Sequence, residues 1–374
     1  MNSGRNKICA LVFVSLLCWP LASNLVGVPK SFSELENRML STGIKLDKNL
    51  FSSGVLAERT ETFVQDQFPM RDALVNLKSD FQVLLGNNEN NGVYLGKDGY
   101  LFRKFEDYIE KTFLDNLDAV KSIMRKLGDK LRVLAVPSAS LVLEEKLPDH
   151  VSADREKETL GFFNTYLKKN GGSVDLLEPI ASHKDESVYF KTDHHWTQYG
   201  AYLGYTEIMH SYGLEPVDLN KFIVDNRENF QGTHYSKFRG KFVKGERFTF
   251  YQNPKENVEV YYVAEDRTEK SLFFTQNLDT RDKYKVYLDG NYPLMTIRNH
   301  EIMNGEKILV LKDSYANAVV PFLVDSFQEV HLMDLRYYNL SLQDYIEKGG
   351  FDKVILLYGM DSYLNDESLR KLVN

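Results

Sequence analysis

The chain has 374 residues, of which 43% are hydrophobic and 13% aromatic, enough to bury one large core or a main domain with an insert and too apolar for a disordered protein. Its formal net charge of -7 is spread without a basic block, so the electrostatic footprint of a nucleic-acid-binding protein is missing. Both cysteines, Cys9 and Cys18, lie near the N-terminus, which leaves the folded body without a disulfide framework, a cysteine-based zinc cluster or a cysteine nucleophile.

Arg5 and Lys7 precede an apolar run from Ile8 to Leu21 that continues more weakly to Val28. That charge-then-apolar order is the mark of a secretory signal peptide or a membrane anchor over residues 1–28 and predicts that the remainder lies outside the cytoplasm, the alternative being an N-terminal core helix of a cytosolic protein. Pro20, Ser23 and Asn24 weaken the second half of a run that is barely long enough for a hydrocarbon core of ~30 Å, so cleavage after Ala22 and retention as an anchor both stay open. Leu17 occupies the place before Cys18 where a lipoprotein site carries a small residue, which argues against lipidation.

Beyond a polar stretch from Ser31 to Arg38, apolar points at helical spacing run from Ser53 to Leu85. Asp66-Gln67-Phe68-Pro69 interrupts them, because proline disfavours a helical residue before it, and two helices are expected. Asn91 to Phe102 reads as a hairpin, with Asp98-Gly99 supplying the positive-φ turn between aromatic-rich strands. From Asp115 the pattern alternates: helix Asn116–Leu127, strand Leu131–Val136, helix Lys157–Lys169, strand Val174–Leu177. The alternation returns as strand Ile308–Leu311, helix Tyr315–Phe327, strand Glu329–Met333, helix Leu342–Lys348 and strand Lys353–Leu357. This is the α/β order of a parallel or mixed sheet covered by helices. Between the halves, about 229–300, β-branched and aromatic residues alternate with polar ones, which predicts a β-rich insert or an extension of the sheet. The expected organisation is thus 1–28 signal or anchor, 29–110 an N-terminal helical and hairpin region, and 111–374 an α/β domain.

Two segments carry chemistry. Lys191-Thr192-Asp193-His194-His195-Trp196-Thr197 follows a strand candidate, Ser187–Phe190, and leads into a helix over Gln198–Tyr212 with Thr197 as its N-cap. In an extended segment Asp193 and His195 face the same way, so the carboxylate can hold one ring nitrogen while the other serves as a general base; His194 then points to the opposite face. The plain alternative is a polar loop whose histidine caps a helix. In the second segment, strand Ile308–Leu311 runs through Lys312-Asp313 into Ser314, at the carboxyl edge where open α/β sheets keep their sites. The backbone N–H groups of Ser314 and Tyr315 are then candidates for stabilising an oxyanion, against the alternative that Asp313 or Ser314 merely caps the helix.

Asp193-His194-His195-Trp196 and Lys312-Asp313-Ser314-Tyr315-Ala316-Asn317 resemble the two signature blocks of the DHHW family of SGNH-hydrolase-like proteins. Further landmarks agree: Ser33 to Arg38, Asp66 to Arg71, Asn91 to Gly99, Gln231-Gly232-Thr233 and Asp289-Gly290-Asn291. The same Asp-x-His followed by a strand-borne serine is similar to the proteins that O-acetylate alginate and related exopolysaccharides. The resemblance implies an SGNH-like sheet covered by helices, with Asp193 as orienter, His195 as base and Ser314 as nucleophile. The triad order is permuted, since SGNH hydrolases place Gly-Asp-Ser first, and here Lys312 replaces that glycine. Asn291, Gly290 and Asn317 become oxyanion or substrate candidates, against ordinary turn or helix-surface roles, and Trp196 part of a sugar platform, against the commoner role of a large aromatic in the core. Implied too are a polysaccharide or glycan substrate, a membrane-bound O-acyltransferase as partner to pass acyl groups across the membrane, and no cofactor or metal. Two other readings stay open. One is an Asp-His-His metal site of a phosphoesterase, for which only His331 and Asp334 offer further ligands. The other is a non-catalytic glycan-binding or scaffold protein of the envelope.

Overall fold

The computed structural model describes residues 3–26, 28–33, 35–36, 38–44 and 54–373. Of the sequence features above, Ser53 and, in the first landmark, Glu34 lie outside them, as does Asn37. The chain divides into two compact units, one of residues 1–90 with 236–243 and one of residues 91–235 with 244–374.

The smaller unit begins with helix α1 (Ser3–Val26). Among the described residues no helix is long and apolar enough to cross a membrane. Helices α2 (Val55–Asp66) and α3 (Arg71–Leu84) are separated as the Phe68-Pro69 step requires, with Met70 in the left-handed region at φ 57°. Arg239 is 1% exposed and is held by Glu36, Asp72 and Asn76, so its buried charge is fully partnered. Arg38 and the backbone N–H of Ser41 do the same for the carboxylate of Asp66.

In the larger unit the hairpin forms from β1 (Val93–Leu95) and β2 (Leu101–Arg103), with Asp98 at φ 55° and Gly99 at φ 79° in the turn. The elements that follow are α4 (Glu110–Leu127), β3 (Leu131–Val136), α5 (Asp154–Lys168), β4 (Ser173–Val174) and α6 (Gln198–Ser211). Next come β5 (Ile223–Phe230), α7 (Thr233–Phe238), β6 (Glu246–Gln252), β7 (Val258–Tyr262), β8 (Arg267–Glu269) and β9 (Leu294–Asn299). The last are β10 (Lys307–Lys312), α8 (Val320–Val324), β11 (Glu329–Met333), α9 (Leu342–Gly349) and β12 (Lys353–Gly359). An eight-stranded sheet has the order β8-β7-β9-β11-β10-β12-β3-β4. Pairing is parallel from β11 through β4 and antiparallel from β8 to β11.

Ile308 to Leu311 are wholly buried, as a parallel strand covered on both faces must be, and such a run needs no alternation of polar and apolar residues. Helix α4 covers the sheet with Phe113, Leu117, Val120 and Met124, an apolar stripe at helical spacing. Each such side chain contributes about 1.5–3 kcal/mol when fully buried. Helix α9 starts at Ser341, whose hydroxyl accepts from the Asp344 N–H, and stops at Gly350 with φ 64°.

Four local expectations are corrected. Ser187–Phe190 makes only an isolated bridge, Tyr189 to Trp196, because Ser187 is left-handed and the chain turns back at once. After Ser173–Val174 the chain goes into a short helix, Leu177–Ala181, rather than continuing as a strand. The stretch after Ser314 is a 3-10 turn, Ser314–Ala318, and then α8, which opens with a proline. Of the two alternatives for the middle stretch, about 229–300, an extension of the sheet is found and a single β-rich insert is the one corrected. β5 and β6 form a separate antiparallel ribbon, α7 interrupts it, and β7, β8 and β9 extend the main sheet.

Candidate active site

Ser314 follows the carboxyl end of β10, between the parallel neighbours β11 and β12. Asp313 performs the capping role: its Oδ1 accepts from the Tyr315 N–H at 2.9 Å, and its Oδ2 accepts from Gly359 N–H at 2.8 Å and Ser362 Oγ at 2.7 Å. Burial pushes its carboxyl above the usual range. Because Asp313 takes the cap, the Ser314 hydroxyl is left for another partner.

That partner is His195, 119 positions away, with Nε2 at 2.8 Å from Ser314 Oγ. The other ring nitrogen, Nδ1, is 2.6 Å from Asp193 Oδ1, which also accepts the His195 backbone N–H at 3.0 Å. Asp193 Oδ2 accepts from Thr233 N–H at 2.7 Å and Thr233 Oγ1 at 3.0 Å. Burial opposes ionisation of Asp193, yet His194, His195 and Thr233 together hold its carboxyl well below the usual range. The structure therefore brings Asp193, His195 and Ser314 into one hydrogen-bonded chain with a buried, charged end.

The segment carrying this pair is bent, not extended. Asp193 Oδ1 bonds the N–H two residues on, an Asx-type turn, and the turn swings His194 to the same side. The His194 ring centroid is 3.7 Å from that of His195, which corrects the expectation that it faces away. His194 Nδ1 bonds Thr233 Oγ1 at 2.7 Å, and burial followed by the neighbouring His195 lowers its pKa to about 4. Glu246 holds the turn from beneath: its carboxylate accepts from Lys191 N–H, Thr192 N–H and Thr192 Oγ1 at 2.7–2.8 Å. Burial raises that carboxyl to about 7.

The remaining candidates divide. Tyr315 N–H is spent on Asp313 and is no oxyanion donor; the Tyr315 ring instead packs edge-on to His195, and its hydroxyl donates to the His194 carbonyl. Asn317 Nδ2 is turned to Gly290 O at 3.4 Å and Asn291 Oδ1 at 3.2 Å. Lys312, wholly buried, donates to Asn317 Oδ1 at 2.6 Å and Asn291 Oδ1 at 2.8 Å, and burial lowers its pKa to about 8. Both amides are thereby fixed by their oxygens, and Asn291 Nδ2 has no partner among the described residues. Trp196 is wholly buried, with its Nε1 donating to Tyr315 O, its Cβ beside Gly200 and its ring against Gly204, so it is a core residue and not a sugar platform.

A metal would have to take ligands already in use. The ligand atoms of Asp193, His194 and His195 lie within 4.8 Å of one another, but they are engaged with each other, Thr233 and Ser314. Of the other suggested ligands, His331 bonds Tyr345 and Asp334 bonds Arg336.

Three site residues were not singled out from the sequence: Thr233, Glu246 and Tyr284. Gly232 and Thr233 stood only as a family landmark, and the physical reason is now visible. A Cβ at Gly232 would lie 2.2 Å from Asp193 Oδ2, so only glycine lets the chain reach that carboxylate.

The DHHW family model matches residues 86–333, and the chain belongs to this family. Over 158 residues it is 31% identical to the probable alginate O-acetylase AlgJ of Pseudomonas syringae pv. tomato, a match that spans 40% of each chain. Its fold is similar to that of a DHHW family protein from Eubacterium siraeum, with TM-score 0.65 and 23% identity over 76% of this chain and 96% of that one. It is also similar to Bacillus cereus PatB1, with TM-score 0.59 and 24% identity over 74% of this chain and 98% of that one.

Proposed function

We propose that the protein is a serine-dependent acyltransferase or acetylesterase that moves an acyl group, most simply acetyl, to or from a hydroxyl of an envelope or secreted polysaccharide. The observation that carries this reading is the unbroken contact chain from Asp193 through His195 to Ser314, at 2.6 and 2.8 Å. Likeness to an alginate O-acetylase over part of the chain supports the glycan as substrate class.

In the mechanism, His195 Nε2 takes the Ser314 proton as Oγ attacks the acyl carbonyl, and Asp193 stabilises the imidazolium that results. Collapse of the tetrahedral intermediate expels the donor's leaving group, which takes the proton back from His195 and leaves an ester on Ser314. A sugar hydroxyl or water then gives its proton to His195 and attacks that ester, releasing the product and restoring the serine. Asn291 Nδ2 is taken as the candidate side-chain donor to the oxyanion, a reading supported by the Lys312 contact that holds its amide by the oxygen. The order of the triad, acid and base before nucleophile, is the permuted SGNH arrangement.

The charge-then-apolar N-terminus supports export, with residues beyond Val28 outside the cytoplasm; a membrane-bound O-acyltransferase as supplier of the donor is implied only by the resemblance to exopolysaccharide O-acetylating proteins. A C-terminal reporter that is active only after export tests location; an inactive reporter on intact protein rules it out. For the chemistry, purified protein is assayed for acetate release from a model acetyl ester, with and without oligosaccharide acceptor, and for labelling by a serine-directed phosphonate. Ser314→Ala and His195→Ala should each remove nearly all turnover, and the double variant should be little worse than either single. Undiminished turnover by folded Ser314→Ala would refute the reading and, if a chelator abolishes that turnover, favour a metal enzyme; no turnover by the unaltered protein, with glycan binding that Ser314→Ala leaves unchanged, would favour a scaffold.

A further inference from the structure

The His195 imidazole lies between two aromatic rings. Tyr284 stacks on it with centroids 3.8 Å apart and planes 6° from parallel, and His194 lies 3.7 Å away at 38°. Two rings that close to one centroid must occupy its opposite faces. The other groups around the imidazole are Asp193 at Nδ1, Ser314 at Nε2 and the Tyr315 ring at 5.1 Å. Among these described neighbours Asp193 carries the countercharge, and His194, with its lowered pKa, adds no positive charge at neutral pH.

Tyr284 is 6% exposed, and its hydroxyl donates to the Ser314 carbonyl at 3.3 Å. It comes from a short 3-10 turn, Lys283–Val286, in the stretch between β8 and β9, and not from either signature block. A buried tyrosine that only filled space would have no need to lie parallel to the base. The face of a phenol ring is electron-rich, so it interacts more favourably with an imidazolium than with a neutral imidazole. In the acyl-transfer cycle the base is neutral before the serine proton moves and cationic in the transition state. An interaction that strengthens between those two states accelerates the step rather than merely tightening binding.

We infer that Tyr284 is a positioning residue of the base: its ring face stabilises the His195 imidazolium formed during acyl transfer. The inference rests on the acyl-transfer reading above.

The test uses the full chain and a graded series at position 284. Tyr284→Phe keeps the ring face and loses the hydroxyl. Replacement of Tyr284 by pentafluorophenylalanine keeps the shape but inverts the charge of the face, and Tyr284→Leu removes the face. Turnover of a model acetyl ester is followed across pH, with melting temperature as the check on folding. Phe should lie within about threefold of the unaltered protein and keep its acid limb. The fluorinated ring should cost about tenfold in kcat/KM and move the acid limb of the profile down by about half a unit or more, since the imidazolium is the form destabilised. Leu should change in the same direction. Ser314→Ala separates the two levels: if that variant stays active, the acyl-transfer reading itself has failed. If Ser314→Ala is inactive while the fluorinated variant matches Phe in rate and acid limb, the role given to Tyr284 is overturned. A loss of rate with no movement of the limb also overturns it, because that is what a purely structural ring would give.

Discussion

Asp193→Asn separates charge from shape at the buried end of the contact chain. The carboxylate accepts four hydrogen bonds, two on Oδ1 from His195 and two on Oδ2 from Thr233. An asparagine can keep its oxygen toward His195 only by aiming its NH2 at Thr233, where the hydroxyl can rotate to accept but the backbone N–H cannot. That orientation preserves the imidazole tautomer and removes the charge. With carboxylate and imidazolium centres ~4 Å apart and an effective dielectric of ~20, the lost attraction is about 4 kcal/mol, or about 10³-fold in rate. The opposite orientation points NH2 at two donors on His195, forces the wrong tautomer and costs at least as much. The opposed N–H groups also cost about 1–3 kcal/mol of stability. Kinetics of acetyl-ester hydrolysis and a melting curve on the same preparation check both figures. A folded Asp193→Asn protein within tenfold of the original rate would show that the buried charge does not act on His195 and would remove the argument for a charged relay.

Three further outcomes are expected. His194→Ala should lower kcat/KM by about tenfold, less than His195→Ala but well beyond a surface change, since it removes the ring packed on one face of the base; equal losses for the two histidines would mean the wrong ring has been assigned. Gly232→Ala should lower both melting temperature and activity, because the added methyl falls 2.2 Å from Asp193 Oδ2; unchanged activity would show that this approach can relax. Glu246 is raised from 4.5 to about 7, so the folded state holds its proton more tightly than the unfolded chain, and the stability this group gives is complete below about pH 4.5 and lost as pH rises to about 7. The change is on the order of 3 kcal/mol, and Glu246→Gln should flatten the melting temperature between those values; an identical slope in both proteins would contradict it.

Much of the fold was legible because its signals are local. β3 and β11 fall on the predicted boundaries, as a short run of apolar β-formers between polar residues should, and Thr197 caps α6 through its hydroxyl at 3.1 Å from Gly200 N. The pairing of Asp193 with His195 was readable from spacing, and Ser314 from the strand that delivers it. What failed was conformation set by distant partners. Nothing near His194 announces that Asp193 folds over to bond the N–H two residues on, and the Thr233 contact that stabilises this turn arrives from 40 positions away. Trp196 stayed open between core and sugar platform because the two look alike in sequence; only Gly204 hints at a ring pressed against α6. Tyr284 lies in a stretch with no periodicity, where one aromatic among many carries no signal.

The position of β10 bears on when the protein becomes competent. Its two neighbours in the sheet, β11 and β12, both follow it in the chain, and Asp313 takes its partners Gly359 and Ser362 from the last of these and the short helix beyond, Met360–Asn365. A growing chain can therefore hold Asp193, His195 and Ser314 in full and still lack the frame that sets the serine. A nascent protein halted before β12 has one flank of the Ser314 strand unpaired and its cap unmade. The setting of Ser314 is thus complete only once β12 and the residues just after it are in place, and a chain cut short of β12 should keep all three residues of the contact chain without the geometry that joins them.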